Sequence, residues 1–158
     1  MATAILEDES VQTFRVQKEI DIAAPIEIAF EALLDELGPE GGRMPDGRSL
    51  SMKIEPWPGG RWYRDLGNNA GHLWGHVQVI KPPTLLEITG PMPMSYPAVN
   101  HIQYRLKSEG GGTRLSLLHR AMGLILPEHR DGMPEGWEHA LDRVRELAER
   151  KMKSPRAT

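Results

Sequence analysis

The stretch PEGWEHALDRVRELAERKM, residues 134–152, decides the fold. Trp137, Ala140, Leu141, Val144, Leu147 and Ala148 recur at steps of three and four, which is one apolar stripe on a helix. Pro134 suits a first helical position, where its missing N–H is not needed. Arg150, Lys151 and Lys153 crowd the far end, where positive charge complements the helix dipole. The spacing therefore predicts a long amphipathic helix over 134–152. Such a helix has to lay its stripe against another layer, and the chain before it reads mostly as strands.

The nearest strands form a hairpin whose register follows from its turn. Ile102, Tyr104 and Leu106 share one face of a strand, and Leu115, Leu117 and His119 share one face of the next. A two-residue Gly110-Gly111 turn of the primed type pairs residues whose numbers sum to 221. That sets Leu106 opposite Leu115, Tyr104 opposite Leu117 and Ile102 opposite His119. A slip of one residue would turn both apolar faces outward.

The chain from its start fits the same scheme. Phe14, Val16, Ile20 and Ile22 alternate with polar residues and predict a half-buried strand, with Lys18 as the exception on its apolar face. Pro25 opens a short helix that carries Ile26, Ala29, Phe30, Leu33, Leu34 and Leu37, and Gly38-Pro39 stops it. Residues 38–49, GPEGGRMPDGRS, read as a long loop. Strands follow around Met52 and Ile54, over 61–66, over 73–81 and over 85–89, separated by Gly, Pro and Asn turns. Residues 90–97 and 122–133 read as connectors, the second as a flap or a short continuation of the sheet. The order is strand, helix, about six strands, helix: an α+β fold with a curved antiparallel sheet. One domain is expected over 13–152, with tails at 1–12 and 153–158.

Composition narrows the function classes. A net charge of −3 disfavours a general nucleic-acid binder. The chain has no cysteine, so it has neither disulfide nor thiolate chemistry, which is compatible with the cytoplasm. MATAILEDES lacks the basic and apolar regions of a signal peptide, and no apolar run suits membrane insertion. His72 and His76 lie four apart on a strand, about 13 Å at roughly 3.3 Å per residue, too far to share one ion. No metal and no cofactor are expected. No nucleophile elbow, phosphate loop or dinucleotide fingerprint occurs.

The phrases IDIAAPIEIAFEAL (20–33), PGGRWY (58–63), GHVQVIKPPTLLEI (75–88), EGGGTRLSLLH (109–119) and GWEHALDRV (136–144) together resemble the START-like, or SRPBCC, superfamily. The likeness is to the branch named after the activator of the heat-shock chaperone ATPase. It implies a helix-grip fold, a sheet of about six to seven strands wrapped around the C-terminal helix with a pocket between them. It does not imply one activity, because the superfamily includes lipid carriers, receptors, cyclases and co-chaperone domains.

If the sheet curves as in those relatives, Trp62 and Arg64 face the pocket, and Arg64 either grips an acidic ligand head or turns out of the mouth. Ile102, Tyr104, Leu117 and His119 lie on the same face. His119 is either a core histidine bonded to a neighbour or a group that orients or protonates a ligand. Met92, Met94, Tyr96, Leu124, Ile125 and Leu126 are apolar loop residues that pack onto the sheet or form an adaptable rim. Trp137 and Leu141 supply the helix side. The leading expectation is a domain that holds an apolar or amphipathic small molecule. The alternatives are a cofactor-independent cyclase or aromatase using His119, Tyr104 and Arg64, and a chaperone-interacting module. A homodimer through an exposed strand or the loop rim is left open.

Overall fold

Period-two alternation makes sheets and period-3.6 stripes make helices, and both patterns are realised. A computed structural model describes residues 3–44 and 46–153. Residues 1, 2 and 154–158, the outer parts of the two expected tails, lie outside the described residues. The elements run β1 (Gln12–Ile22), α1 (Ile26–Leu37), β2 (Met52–Ile54), β3 (Arg61–Gly67), β4 (Ala70–Lys81), β5 (Leu85–Gly90), β6 (Ala98–Glu109), β7 (Gly112–Gly123) and α2 (Pro127–Lys153). One antiparallel sheet has the order β1-β7-β6-β5-β4-β3-β2. The fold is α+β, with both helices covering one face of the sheet.

The hairpin register is the expected one. Leu106 pairs with Leu115, Tyr104 with Leu117 and Ile102 with His119. Gly110 and Gly111 have φ of 58° and 82°, the left-handed geometry of a primed turn, which glycine adopts at little cost. The sheet bends where strands lose register, between Trp62 and Tyr63, between Asp65 and Gly67, and between Val77 and Val79. Gly75 and Gly90 allow β4 and β5 to approach closely. A Cβ on Gly90 would meet the Gly75 Cα at 2.4 Å.

On α2, Trp137, Leu141, Val144 and Ala148 are buried, as the stripe requires. Leu141 and Val144 each contribute about 1.5–3 kcal/mol by leaving water. α2 packs on α1 and along β1. Lys18, the exception on the β1 apolar face, reaches Glu138 on α2, with Nζ 3.6 Å from Oε2. Thr113 Oγ1 donates to the Ala24 carbonyl at 2.8 Å and fastens β7 to the entry of α1.

Two expectations are corrected. The C-terminal helix begins at Pro127, so residues 127–133 are its first turns and neither a flap nor a continuation of the sheet. Pro134 therefore lies inside the helix and not at its start. Pro127 has the same advantage at a first position. The early start is held by tertiary contacts. The Tyr96 hydroxyl accepts from Leu126 N–H at 3.3 Å and shares a hydrogen bond with His129 Nδ1 at 2.6 Å. A proline interior to a helix removes one backbone bond, so these first turns need such support.

Candidate functional site

The bent sheet and α2 do not meet everywhere. Between them lies a cavity of about 270 Å³. α1 lines it with Leu33, Glu36 and Leu37, and the following loop and β2 add Gly42, Leu50 and Met52. The sheet contributes Trp62, Trp74 and Tyr104, and the loop after β5 contributes Met92 and Pro93. α2 closes the other side with Met133, Gly136, Trp137, Ala140, Leu141, Arg143 and Val144. The lining is mainly apolar and aromatic, as small-molecule sites generally are.

Trp62, Met92, Tyr104, Trp137 and Leu141 thus line the cavity, among the residues singled out in the sequence. Trp62 also donates its indole N–H to the Leu37 carbonyl at 2.8 Å, satisfying an acceptor at the end of α1. The Met92 N–H donates to the Trp74 carbonyl at 2.8 Å and ties its loop to β4.

The other expected residues lie elsewhere. Arg64 pairs with Met52 across β2 and β3, but its guanidinium turns to the loop, donating from Nε to the Leu50 carbonyl at 3.1 Å and from Nη2 to Met44 Sδ at 3.4 Å. Ile102 and Leu117 belong to the solid core beside the cavity. Met94 packs with Ala121 and Ile125 in a second small cluster, against which Tyr96 rests. Leu124 is half-buried and Leu126 exposed in the linker before α2. The early start of α2 leaves that linker too short to form a rim.

His119 is wholly buried and both of its ring nitrogens are engaged. Trp137 Nε1–H donates to Nδ1 at 2.8 Å. An indole N–H can only donate, so Nδ1 is the acceptor and Nε2 carries the proton. Nε2–H in turn donates to Asn100 Oδ1 at 2.7 Å. Asn100 Nδ2 continues the chain to the Gly90 carbonyl at 3.2 Å. Burial pushes the His119 pKa down to about 4, so the ring is neutral near pH 7. The network holds α2 to β6 and β7 and offers no ring nitrogen to a substrate.

Tyr104 is 2% exposed and stacks edge-on against Trp137 at 6.1 Å. Its hydroxyl makes no hydrogen bond among the described residues. Burial, and secondarily the Glu36 charge, push its pKa up. Trp74 meets Trp62 edge-on at 5.2 Å. The Trp74 indole N–H is buried without a hydrogen-bond partner among the described residues.

No sequence motif marks the charged pair in the wall. Arg143 donates from Nε and Nη2 to the Glu36 carboxylate at 2.9–3.2 Å. The Glu36 side chain is 7% exposed and that of Arg143 is 38% exposed. Burial raises the Glu36 pKa, while Arg143 pulls against that shift. One signal was present: Glu36 sits within the apolar side of α1, between Leu33 and Leu37. Arg143→Ala is expected to lose about 1–2 kcal/mol at pH 7.5, less than a fully buried pair because the arginine is partly solvated. The loss should shrink toward pH 4.5, where Glu36 takes up a proton and no longer needs the cation. Urea unfolding at the two pH values measures the difference, and an equal loss at both would contradict the coupling.

The family model described as Activator of Hsp90 ATPase homolog 1-like protein matches residues 23–149. No curated protein matches the sequence significantly. An uncharacterised protein of Rhizobium leguminosarum superposes with a TM-score of 0.71 at 20% identity, over 91% of this chain and 99% of that one. An AHSA1-like protein of Rhizobium etli is 29% identical, with a TM-score of 0.55 over 87% of this chain and 82% of that one. CalU16 of Micromonospora echinospora is 22% identical, with a TM-score of 0.58 over 87% and 81% of the respective chains.

Proposed function

From the premise that this chain belongs to the Activator of Hsp90 ATPase homolog 1-like family, with the helix-grip fold of its neighbours, we propose that it is a cytoplasmic small-molecule-binding domain. The ligand is apolar or amphipathic and lies between the sheet and α2. The observation that supports this most is the cavity of about 270 Å³ with its apolar and aromatic lining. Sealed and dry, such a volume would cost about 6 kcal/mol at roughly 24 cal/mol per Å³. That is comparable with the whole stability of a typical domain, so water or a ligand fills the space, and its apolar lining favours an apolar ligand over water. No helix among the described residues is long and apolar enough to cross a membrane.

The experiment is a thermal-shift screen with neutral apolar compounds. A true ligand at a hundred times its Kd adds about 2.7 kcal/mol. In a domain of this size that raises Tm by about 5–10 °C. If no member of a broad panel moves Tm, the binding reading fails. A cyclase-type reaction has less support, because the His119 nitrogens are both committed within the protein.

A further inference from the structure

We propose that the cavity takes a compact aromatic compound of about two fused rings carrying one neutral hydrogen-bond acceptor, a ketone or ether oxygen, recognised by the Tyr104 hydroxyl and the Trp74 indole N–H. This rests on the binding reading above and specifies its ligand class.

Size limits the choice from below. A cavity of about 150 Å³ admits one benzene. The volume here, about 270 Å³, is large enough for a second ring. The lining favours flat rings. Trp62, Trp74, Tyr104 and Trp137 present aromatic surface from three strands and a helix. Flat ligands pack against such surfaces edge-on or offset, with attraction beyond simple burial.

The polar groups decide the rest. Three tryptophans line the space, and the fold satisfies two of them: Trp62 N–H reaches the Leu37 carbonyl and Trp137 N–H reaches His119. Trp74 N–H is left over, buried without a partner among the described residues, and Tyr104 lines the same space. Leaving the buried Trp74 donor unmade is costly. An indole only donates and a phenol can donate, so the group both can recognise is an acceptor. The acceptor should be neutral. The Glu36 carboxylate lines the same space as Tyr104 and disfavours an anionic oxygen beside it. Arg143, the cation that could offset this, is already committed to Glu36.

The test uses tetralin and 1-tetralone, which share a two-ring skeleton and differ by one carbonyl. Both are titrated against the full chain by tryptophan fluorescence, in the wild type, Tyr104→Phe and Trp74→Phe. The ratio of tetralin Kd to tetralone Kd is expected to fall about fivefold in each variant, the worth of one neutral hydrogen bond. Tyr104→Phe keeps the ring and removes only the hydroxyl, so it should fold with a Tm close to that of the wild type, and taking the ratio to tetralin cancels any change in apolar contact common to both compounds. If both compounds bind and the ratio is the same in wild type and Tyr104→Phe, the acceptor proposal is overturned while the binding reading stands. If neither compound binds, the proposal is overturned. The broader apolar panel then decides separately whether the binding reading falls with it.

Discussion

Trp137→Ala is expected to lower the unfolding free energy by about 3–5 kcal/mol, the usual cost of emptying a large aromatic site. Trp137 is 6% exposed and is the point where α2 meets the sheet. Its ring stands edge-on to Tyr104 at 6.1 Å and to His119 at 5.5 Å. Its indole is also the donor that engages His119 Nδ1, at 2.8 Å. Alanine would enlarge the existing cavity and strand a buried acceptor at once. Trp137→Phe separates the two losses, because it keeps most of the ring and removes the N–H. That variant should cost about 1–3 kcal/mol, the penalty for an unsatisfied buried group. Urea unfolding at pH 7.5 reads both values. A loss below 1 kcal/mol for alanine would mean that α2 is held to the sheet elsewhere.

Acid should weaken the fold through His119 by about 3 kcal/mol. The folded pKa is about 4, against an ordinary value of 6.5. Between those values the unfolded chain binds a proton that the native state refuses, so stability rises with pH in that window. The His119 contribution is complete above pH 6.5, is lost as pH falls from 6.5 to 4, and changes no further below 4. The gap corresponds to about 3 kcal/mol at 1.36 kcal/mol per pH unit. Glu36 acts in the opposite direction, because a carboxyl with a raised pKa loses stability as pH rises. The decisive comparison is therefore with His119→Gln, which cannot titrate. Its stability should be lower at pH 7 and should show a flatter slope between pH 6.5 and 4. Parallel profiles for the two proteins would show that His119 is not the residue responsible.

The same histidine marks the limit of what a sequence conveys about a site. Alternation along β7 put His119 on the buried face, and the turn arithmetic put it opposite Ile102. Neither could say which groups its nitrogens would meet. Asn100 lies 19 positions away and Trp137 lies 18 away on another element. Arg64 is a similar case. Its register was legible, but a long flexible side chain chose the Leu50 carbonyl over the cavity. Glu36 and Arg143 are separated by 107 positions, and only the packing of α1 on α2 brings them together.

The α+β class, the hairpin register and the stripe that buries Trp137, Leu141, Val144 and Ala148 were all legible in the order of residues. These follow from periods of two and 3.6 and from turn residues, which act between near neighbours in the chain. Tertiary structure alone decided where α2 starts, which donors are satisfied, and that sheet and helix stand apart around about 270 Å³. Those outcomes depend on distances between groups far apart in sequence. Local backbone preference says nothing about such distances until the whole core has packed.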